Sequence, residues 1–496
     1  MPTSASRVVF RVDGNATIGL GHVVRCLALA DMLQPGFDCV FAIQDMDVSG
    51  QQQIQPLCSA IWSVPVFEQP EQEAQWLLRQ MRPTDILVLD GYHFGPAYAH
   101  IFWRQARPVV CLDDLLAQPL WADVVINHAG GVGPEAYADK VVPGAALCLG
   151  PQYALLRRVF QPAARQPVAA PDTDRIFLNM GGADPENHTL RLLRELRQRF
   201  PAKAIEVVTG AAYPHQTELA TQAQSISRIT LHHAISAEAM AALLRRCGIH
   251  VCPPSGVAYE CCAVGGLLLL HPIADNQRLL LAYLTGAGLA LPYSDLAAIS
   301  ETQLPCLAQQ LQQRQWQVFD GKTGPRFREV FTALHAAYQL TVRRAEATDA
   351  HQYFTWANDP DVRRNAIQPE LIAWSNHLDW FARRLVDADS FLYIFERAGT
   401  PVGQVRIEFT GSEGTIDYSV DSAFRGQGLG LAILRRALGQ LRRDKPSAWA
   451  LVGQVKAGNL PSCRVFQRLG FAQLAALRLH NETYEVFRLE VAPAVS

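Results

Sequence analysis

The chain has 496 residues, enough for about three domains, and 49% of them are hydrophobic, enough for several cores. Its 44 basic and 46 acidic residues leave a net charge of -2, a balance that argues against binding nucleic acid or an anionic membrane surface. The 11 cysteines are odd in number and form no C-x-x-C pair, so neither a disulfide framework nor a zinc site is expected, and reduced thiols in the cytoplasm are. The start, MPTSASRVVFRVDGN, lacks the apolar centre of a signal peptide. The longest apolar run, CCAVGGLLLLHPI, contains glycines and falls short of the roughly 20 residues of a membrane span.

Residues 1–160 alternate short apolar strands with helical patterns: RVVFRVD, a helix over 22–33, DCVFAIQD, the helical EQEAQWLLRQM, DILVLDGY, RPVVCLDD and ADVVINHAGG. Strands of this kind between helices predict a mostly parallel sheet covered on both faces. Ligands of such sheets gather at the strands' carboxyl ends. The polar residues Asp13, Asp90, Tyr92, Asp113, Asp114, Asn127 and His128 all fall there. The proline-rich stretch 161–174 reads as a linker. A second alternation follows over 172–337, from RIFLNMGGAD through AIEVVTG and GIHVCPPSG to GLLLLHPI, so two α/β units stand in tandem with a cleft expected between them. A third unit, 340–492, begins antiparallel, with the hairpin SFLYIFERAGTPVGQVRIEF.

Three glycine-bearing turns carry the chemistry of the first two units. In IGLGHVVRCLALA, Gly19 and Gly21 let a ligand approach the backbone, and His22 opens a helix whose free N–H groups suit phosphate. A histidine there can serve as a base. Its plainer reading is a capping histidine at a tight turn. Ser255 and Gly256 open another helix, with Glu260 one turn on, placed to accept the hydroxyls of a ribose. Gly181 and Gly182 in MGGAD, and Asn276 and Gln277 in HPIADNQ, lie at further strand ends of the same unit. Alone, Glu260 also reads as a solvated helix residue, and Gly181-Gly182 as a plain turn.

As a set, over about residues 6–335, these motifs resemble the two-domain glycosyltransferase-B fold, with two Rossmann-like domains. RVDGNATIGLGHVVRCLALA, LVLDGYHF, CLDD and DNQ look like the nucleotide-sugar hydrolases of pseudaminic acid biosynthesis. The resemblance implies UDP held in the second domain by Gly181, Gly182, Ser255, Gly256, Glu260, Asn276 and Gln277, with Gly21 meeting it from the first. It implies that His22 activates a water to release UDP with inversion, without a metal. Asp13 and Tyr92 are expected to orient His22 or the sugar. A glycosyltransferase with an accessory third domain, or a binding protein without catalysis, are the alternatives.

In the third unit, YSVDSAFRGQGLGLAILRRALGQL reads as a strand ending at Val420, a turn of Arg425, Gly426, Gln427, Gly428, Leu429 and Gly430, and a helix with apolar residues at 429, 432, 433, 437, 438 and 441. Such a turn offers successive N–H groups to a pyrophosphate. With Asn459, Ser462 and RLGF further on, it resembles the GCN5-related N-acetyltransferase (GNAT) superfamily, which implies acetyl-CoA as cosubstrate. WSNHLDWFARRL resembles the corresponding helix of amino-sugar N-acetyltransferases acting one step before the hydrolase. Phe466 stands where many members have a tyrosine, so either another group, Tyr484 or a water, protonates the thiolate, or the thiolate leaves unaided. Glu408 and Asp417 could receive the amine's proton through water, but the plainer reading, and the one favoured, is surface strand residues. The sequence leaves the sugar stereoisomer and the oligomeric state open.

Overall fold

In the computed structural model, residues 6–14, 21–44, 48–142, 144–161, 170–224, 226–479 and 482–491 are described; Gly19 lies outside them. The first sheet contains β1 (Ser6–Val12), β2 (Phe37–Ile43), β3 (Ala60–Ser63), β4 (Ile86–Asp90), β5 (Val109–Leu112), β6 (Val124–Asn127) and β7 (Ala146–Leu149). All run parallel in the order β3-β2-β1-β4-β5-β6-β7. The second contains β8 (Arg175–Leu178), β9 (Ala204–Thr209), β10 (Ile229–His233), β11 (Ile249–Cys252), β12 (Leu267–Leu270) and β13 (Leu291–Pro292), again all parallel, in the order β10-β9-β8-β11-β12-β13. Both are doubly wound sheets whose order reverses beside the first strand, which places a binding crevice at the carboxyl ends of β1 and β4 and of β8 and β11. Continuous apolar strands suit this burial on both faces: every residue of β12, LLLL, is buried.

The helix Thr323–Tyr338 returns to the first unit. Its Phe327, Phe331 and Leu334 lie in one core with Val23, Leu29, Leu33 and Phe41, and Arg328 donates to the Met32 carbonyl at 2.7 Å. The sequence pattern groups this helix with residues 172–337, because periodicity gives a buried face but not its partner.

The third sheet contains β14 (Leu340–Arg344), β15 (Ser390–Arg397), β16 (Thr400–Thr410), β17 (Glu413–Val420), β18 (Trp449–Lys456), β19 (Ala472–Gln473), β20 (Leu477–Leu479) and β21 (Glu482–Val491), in the order β14-β15-β16-β17-β18-β21-β19 with β20 on β21. Neighbours are antiparallel except β17 and β18, which run parallel and pair only over Glu413–Thr415 with Ala450–Val452. The remainder of β17 therefore parts from β18 and opens a gap in the sheet. The helix Leu429–Asp444 buries the expected positions 429, 432, 433, 437, 438 and 441, and also Arg435 and Arg442. It packs on this sheet and on the helix Thr323–Tyr338. Among the described residues, no helix is long and apolar enough to cross a membrane.

Candidate functional site

His22 stands in the first turn of the helix Gly21–Leu33. Its Nδ1 lies 2.6 Å from Oδ1 of Asp90, the last residue of β4. Asp90 is fully buried and also accepts from Arg25 Nε at 2.7 Å and Nη2 at 2.5 Å. Burial alone raises the Asp90 carboxyl; hydrogen bonds from Arg25 and His22 outweigh it and hold the group below the usual carboxylate range. An ionised Asp90 accepts from Nδ1–H, which leaves Nε2 as the basic nitrogen of the ring. Arg25 continues to Asp114 at 2.8 Å, and the Tyr92 hydroxyl donates to the same Asp114 oxygen at 3.1 Å. The exposed Tyr92 ring meets the His22 ring edge-on, with centroids 4.8 Å apart.

Asp13 faces elsewhere. It accepts from Arg11 at 2.5 Å and from the Gln44 amide at 2.9 Å, and pairs with His93 Nε2 at 3.1 Å. Against the cost of burial, these partners pull its carboxyl down to about 2. Strand parity is the reason. Val8, Phe10 and Val12 pack on the side of the helix Gly21–Leu33, so Asp13 points to the opposite face. Asp90 sits opposite Val12 in the β1–β4 register and shares its face. Asp90, not Asp13, therefore holds the His22 ring.

In the second unit Ser255 stands at the N-cap of the helix Gly256–Val264 in extended backbone, with no side-chain cap bond. The first-turn N–H groups keep their capacity for an acceptor. Open space surrounds the Cβ position of Gly21, Gly181, Gly182 and Gly256, and Gly181 has a φ of +88°. Glu260 accepts from Arg157 Nη2 at 2.7 Å and Nε at 3.2 Å through one oxygen, Oε1. Burial pushes its carboxyl up, with Arg157 opposing. Gln277 spends its side-chain oxygen on the Ile273 amide at 2.9 Å; the side chain of Asn276 lies outside the described residues.

The two units meet beside these groups. The Tyr259 hydroxyl donates to the His128 carbonyl and accepts from the Gly130 amide, both at 3.0 Å. A Cβ at Gly130 would fall on the Tyr283 ring. Burial lowers the His128 imidazole to about 4, and the charges it senses are Arg25, Asp114 and Asp90. The contact made by the neighbour of Glu260 thus lies within electrostatic reach of the His22 pair's Asp90 and Arg25.

In the third unit Gly426 and Gly428 both have φ of +75°, with no atom within 4 Å of an added Cβ. Gly428 is the N-cap of the helix Leu429–Asp444. The turn exposes N–H groups in a concavity that only glycine leaves open, which fits a pyrophosphate. Arg425 serves the fold: it donates to the Val420 carbonyl at 3.1 Å, Asp359 at 2.8 Å and Asp361 at 2.9 Å. Gln427 accepts from Arg397 at 3.2 Å. A Cβ at Gly430 would lie 3.3 Å from the Tyr418 ring.

Asn459 caps the helix Leu460–Arg468 by accepting from the Ser462 amide at 3.3 Å. Ser462 Oγ accepts from the Tyr418 hydroxyl at 3.1 Å, across the gap between β17 and that helix. Burial pushes the Tyr418 phenol up to about 12, so it stays a donor at neutral pH. Phe466 is buried and stacked on Phe487 with centroids 5.4 Å apart. The Tyr484 hydroxyl is 3.5 Å from the Ala366 carbonyl. Glu408 is held by Arg384 at 2.7 Å and Arg406 at 3.4 Å. The sequence reading left out Asp90 as a partner of His22, Arg25 and Tyr418. Each makes its contact across strands or helices distant in sequence.

Among the described residues no group of three or more His, Cys, Asp or Glu is arranged to hold a metal ion. Residues 339–472 match the family model described as an acetyltransferase (GNAT) domain. An uncharacterized protein of Methanocaldococcus jannaschii is 22% identical over 97% of this chain and 99% of its own length, a match running through all three units. The UDP-2,4-diacetamido-2,4,6-trideoxy-beta-L-altropyranose hydrolase of Campylobacter jejuni is 24% identical over 45% of this chain and 77% of that protein. A Salmonella typhimurium protein described as an acetyltransferase and solved with acetyl-CoA is 19% identical, covers 32% of this chain and 96% of that one, and gives a TM-score of 0.28. The C-terminal unit is a GNAT acetyltransferase domain, joined to two parallel α/β units, and 45% of the chain is similar in sequence to a nucleotide-sugar hydrolase.

Proposed function

We propose that the chain is a bifunctional nucleotide-sugar enzyme. Its first two units hydrolyse UDP-2,4-diacetamido-2,4,6-trideoxy-β-L-altropyranose to UDP and the free sugar. Its third transfers acetyl from acetyl-CoA to the 4-amine of the UDP-4-amino-4,6-dideoxy precursor, placing both steps in nonulosonic acid synthesis. The observation that carries this reading is the His22–Asp90 pair, at 2.6 Å, beside the contact of two doubly wound units, together with the likeness to the Campylobacter jejuni hydrolase.

UDP lies against the uncapped helix start at Ser255–Gly256 and the open glycines 181 and 182, with Glu260 at the ribose. His22 Nε2 takes a proton from water, the water oxygen attacks the anomeric carbon, and the C–O bond electrons leave with UDP. Asp90 stabilises the imidazolium that forms. UDP departs as an anion, so helix N-termini support it in place of a proton. In the third unit the amine attacks the acetyl carbonyl and passes a proton to water, coenzyme A leaves as thiolate, and the Tyr418 hydroxyl, bonded to Ser462, protonates the thiolate and regains its proton from solvent.

The test offers the UDP-diacetamido sugar, without acceptor or metal, to wild type and His22→Ala, with UDP release and anomer followed by NMR. Coenzyme A thiol release from the amino-sugar precursor is followed in parallel. UDP release with inverted anomer, abolished in the variant while thiol release persists, is expected. Release only on addition of an acceptor would make the first two units a transferase instead.

A further inference from the structure

The helix Leu429–Asp444 carries arginines for which acetyl transfer has no use. Arg435 and Arg442 are each only 7% exposed, and side chains of this charge are rarely so buried unless paired. With Arg436 and Arg443 they line a cavity of about 20 Å³ between this helix and the first unit, where Asp123 is the one carboxylate on the wall. Both Asp123 oxygens are already engaged. The Val109 amide donates to Oδ2 at 2.9 Å, and the Tyr338 hydroxyl lies 2.8 Å from Oδ1 and 3.0 Å from Oδ2.

The Arg436 guanidinium lies over the Tyr338 ring at 4.4 Å and that of Arg443 over Trp103 at 5.6 Å. Stacking of this kind fixes the planes; Arg443 Nη2 also donates to Gln440 Oε1 at 2.9 Å, and Arg442 Nη1 reaches the Pro446 and Ser447 carbonyls at 3.5 and 3.4 Å. The Nε atoms of Arg435 and Arg436 are buried and make no hydrogen bond among the described residues. Burial disfavours the charged form of Arg435 and Arg443, yet a guanidinium keeps its proton in proteins. The junction thus encloses net positive charge with donors to spare, an arrangement strongly destabilising unless an anion completes it.

We propose that this cavity is a binding site for a small inorganic oxyanion, held by Arg435 and Arg436 at the junction of the first and third units. Planar guanidinium forks match the oxygens of phosphate or sulfate. The volume, about 20 Å³, excludes a nucleotide, and a small ion enters as the long arginine side chains give way around it. The site is separate from the glycine turn that opens the same helix: at 1.5 Å per residue, Arg435 and Arg436 lie roughly 10 Å along from Leu429. Bound there, the ion ties the third unit to the first.

The full chain is dialysed free of oxyanions and titrated with inorganic phosphate by calorimetry. Saturating UDP and coenzyme A fill the other anion sites, and phosphate that survives dialysis is counted by a molybdate assay. One phosphate per chain is expected, competed by sulfate, with binding at least tenfold weaker in Arg435→Gln. Should that variant fail to fold, the half-buried Arg436→Gln carries the same expectation. No saturable phosphate in the wild type, or unchanged affinity in the folded variant, overturns the proposal.

Discussion

A single carboxylate decides what His22 can do. Asp90 fixes the ring by Nδ1 and is itself kept ionised by Arg25. Asp90→Asn preserves the shape and removes the charge that stabilises an imidazolium, so UDP release should fall by roughly 10²–10⁴-fold in kcat. KM should change little, since Asp90 is fully buried and its oxygens are taken by His22 and Arg25. Steady-state kinetics with a melting curve separates this from misfolding. Asp13, which does not touch His22, bears on stability. Its folded-state pKa, about 2, is below the unfolded value near 3.9. A depressed carboxylate stabilises fully above its unfolded pKa, and that stabilisation is lost as the pH falls through the folded value. The contribution is about 2 kcal/mol at neutral pH. Asp13→Asn should therefore be less stable than wild type at pH 7, and the gap should narrow below about pH 4 and close near pH 2, as read by denaturant unfolding across that range.

At the scale of elements, turns set the sites and sheets set which residues can meet. The glycine turn before Leu429 is a local feature, and Gly428→Ala tests it alone. A Cβ there meets no protein atom, but the φ of +75° is one that L side chains rarely adopt. The strain costs about 1–2 kcal/mol, and the methyl group projects into the concavity offered to the pyrophosphate. KM for acetyl-CoA should rise about tenfold with UDP release unchanged, measured on one preparation. Features of this local kind were legible in the sequence: the alternation that became two parallel sheets, the helix start at Ser255, and the apolar period after Leu429. The partner of His22 was not. Asp13 and Asp90 both end strands, and only the adjacency of β1 and β4 and the parity of Val12 decide which faces the helix. Glu260 stood out as a carboxylate one turn into a helix, but its bond to Arg157 joins residues 103 apart. Tyr418 gave no signal either, because its role depends on the gap that opens where β17 leaves β18.

For the whole molecule, the helix Thr323–Tyr338 is the member shared by units at opposite ends of the chain. Phe331 is fully buried in the first unit's core, against Phe37 at 6.0 Å. Ala337, two turns on, belongs to the third unit's core, and Tyr338 packs on both. Its hydroxyl bonds Asp123 in the first unit, and β14 begins at Leu340. The first and third units thus share one continuous structure, whereas the second has separate cores around β8–β13. Phe331→Ala leaves a cavity worth about 3–5 kcal/mol, which for units of this size corresponds to a fall of roughly 6–20 °C in the melting temperature. Calorimetry of the full chain should show one transition that moves down by that amount and takes UDP release and acetyl transfer with it, though Phe331 touches neither site. A second transition, that of the middle unit, should stay in place. If acetyl transfer survives past the temperature at which UDP release is lost, the helix is not a shared core, and the third unit folds independently of the first.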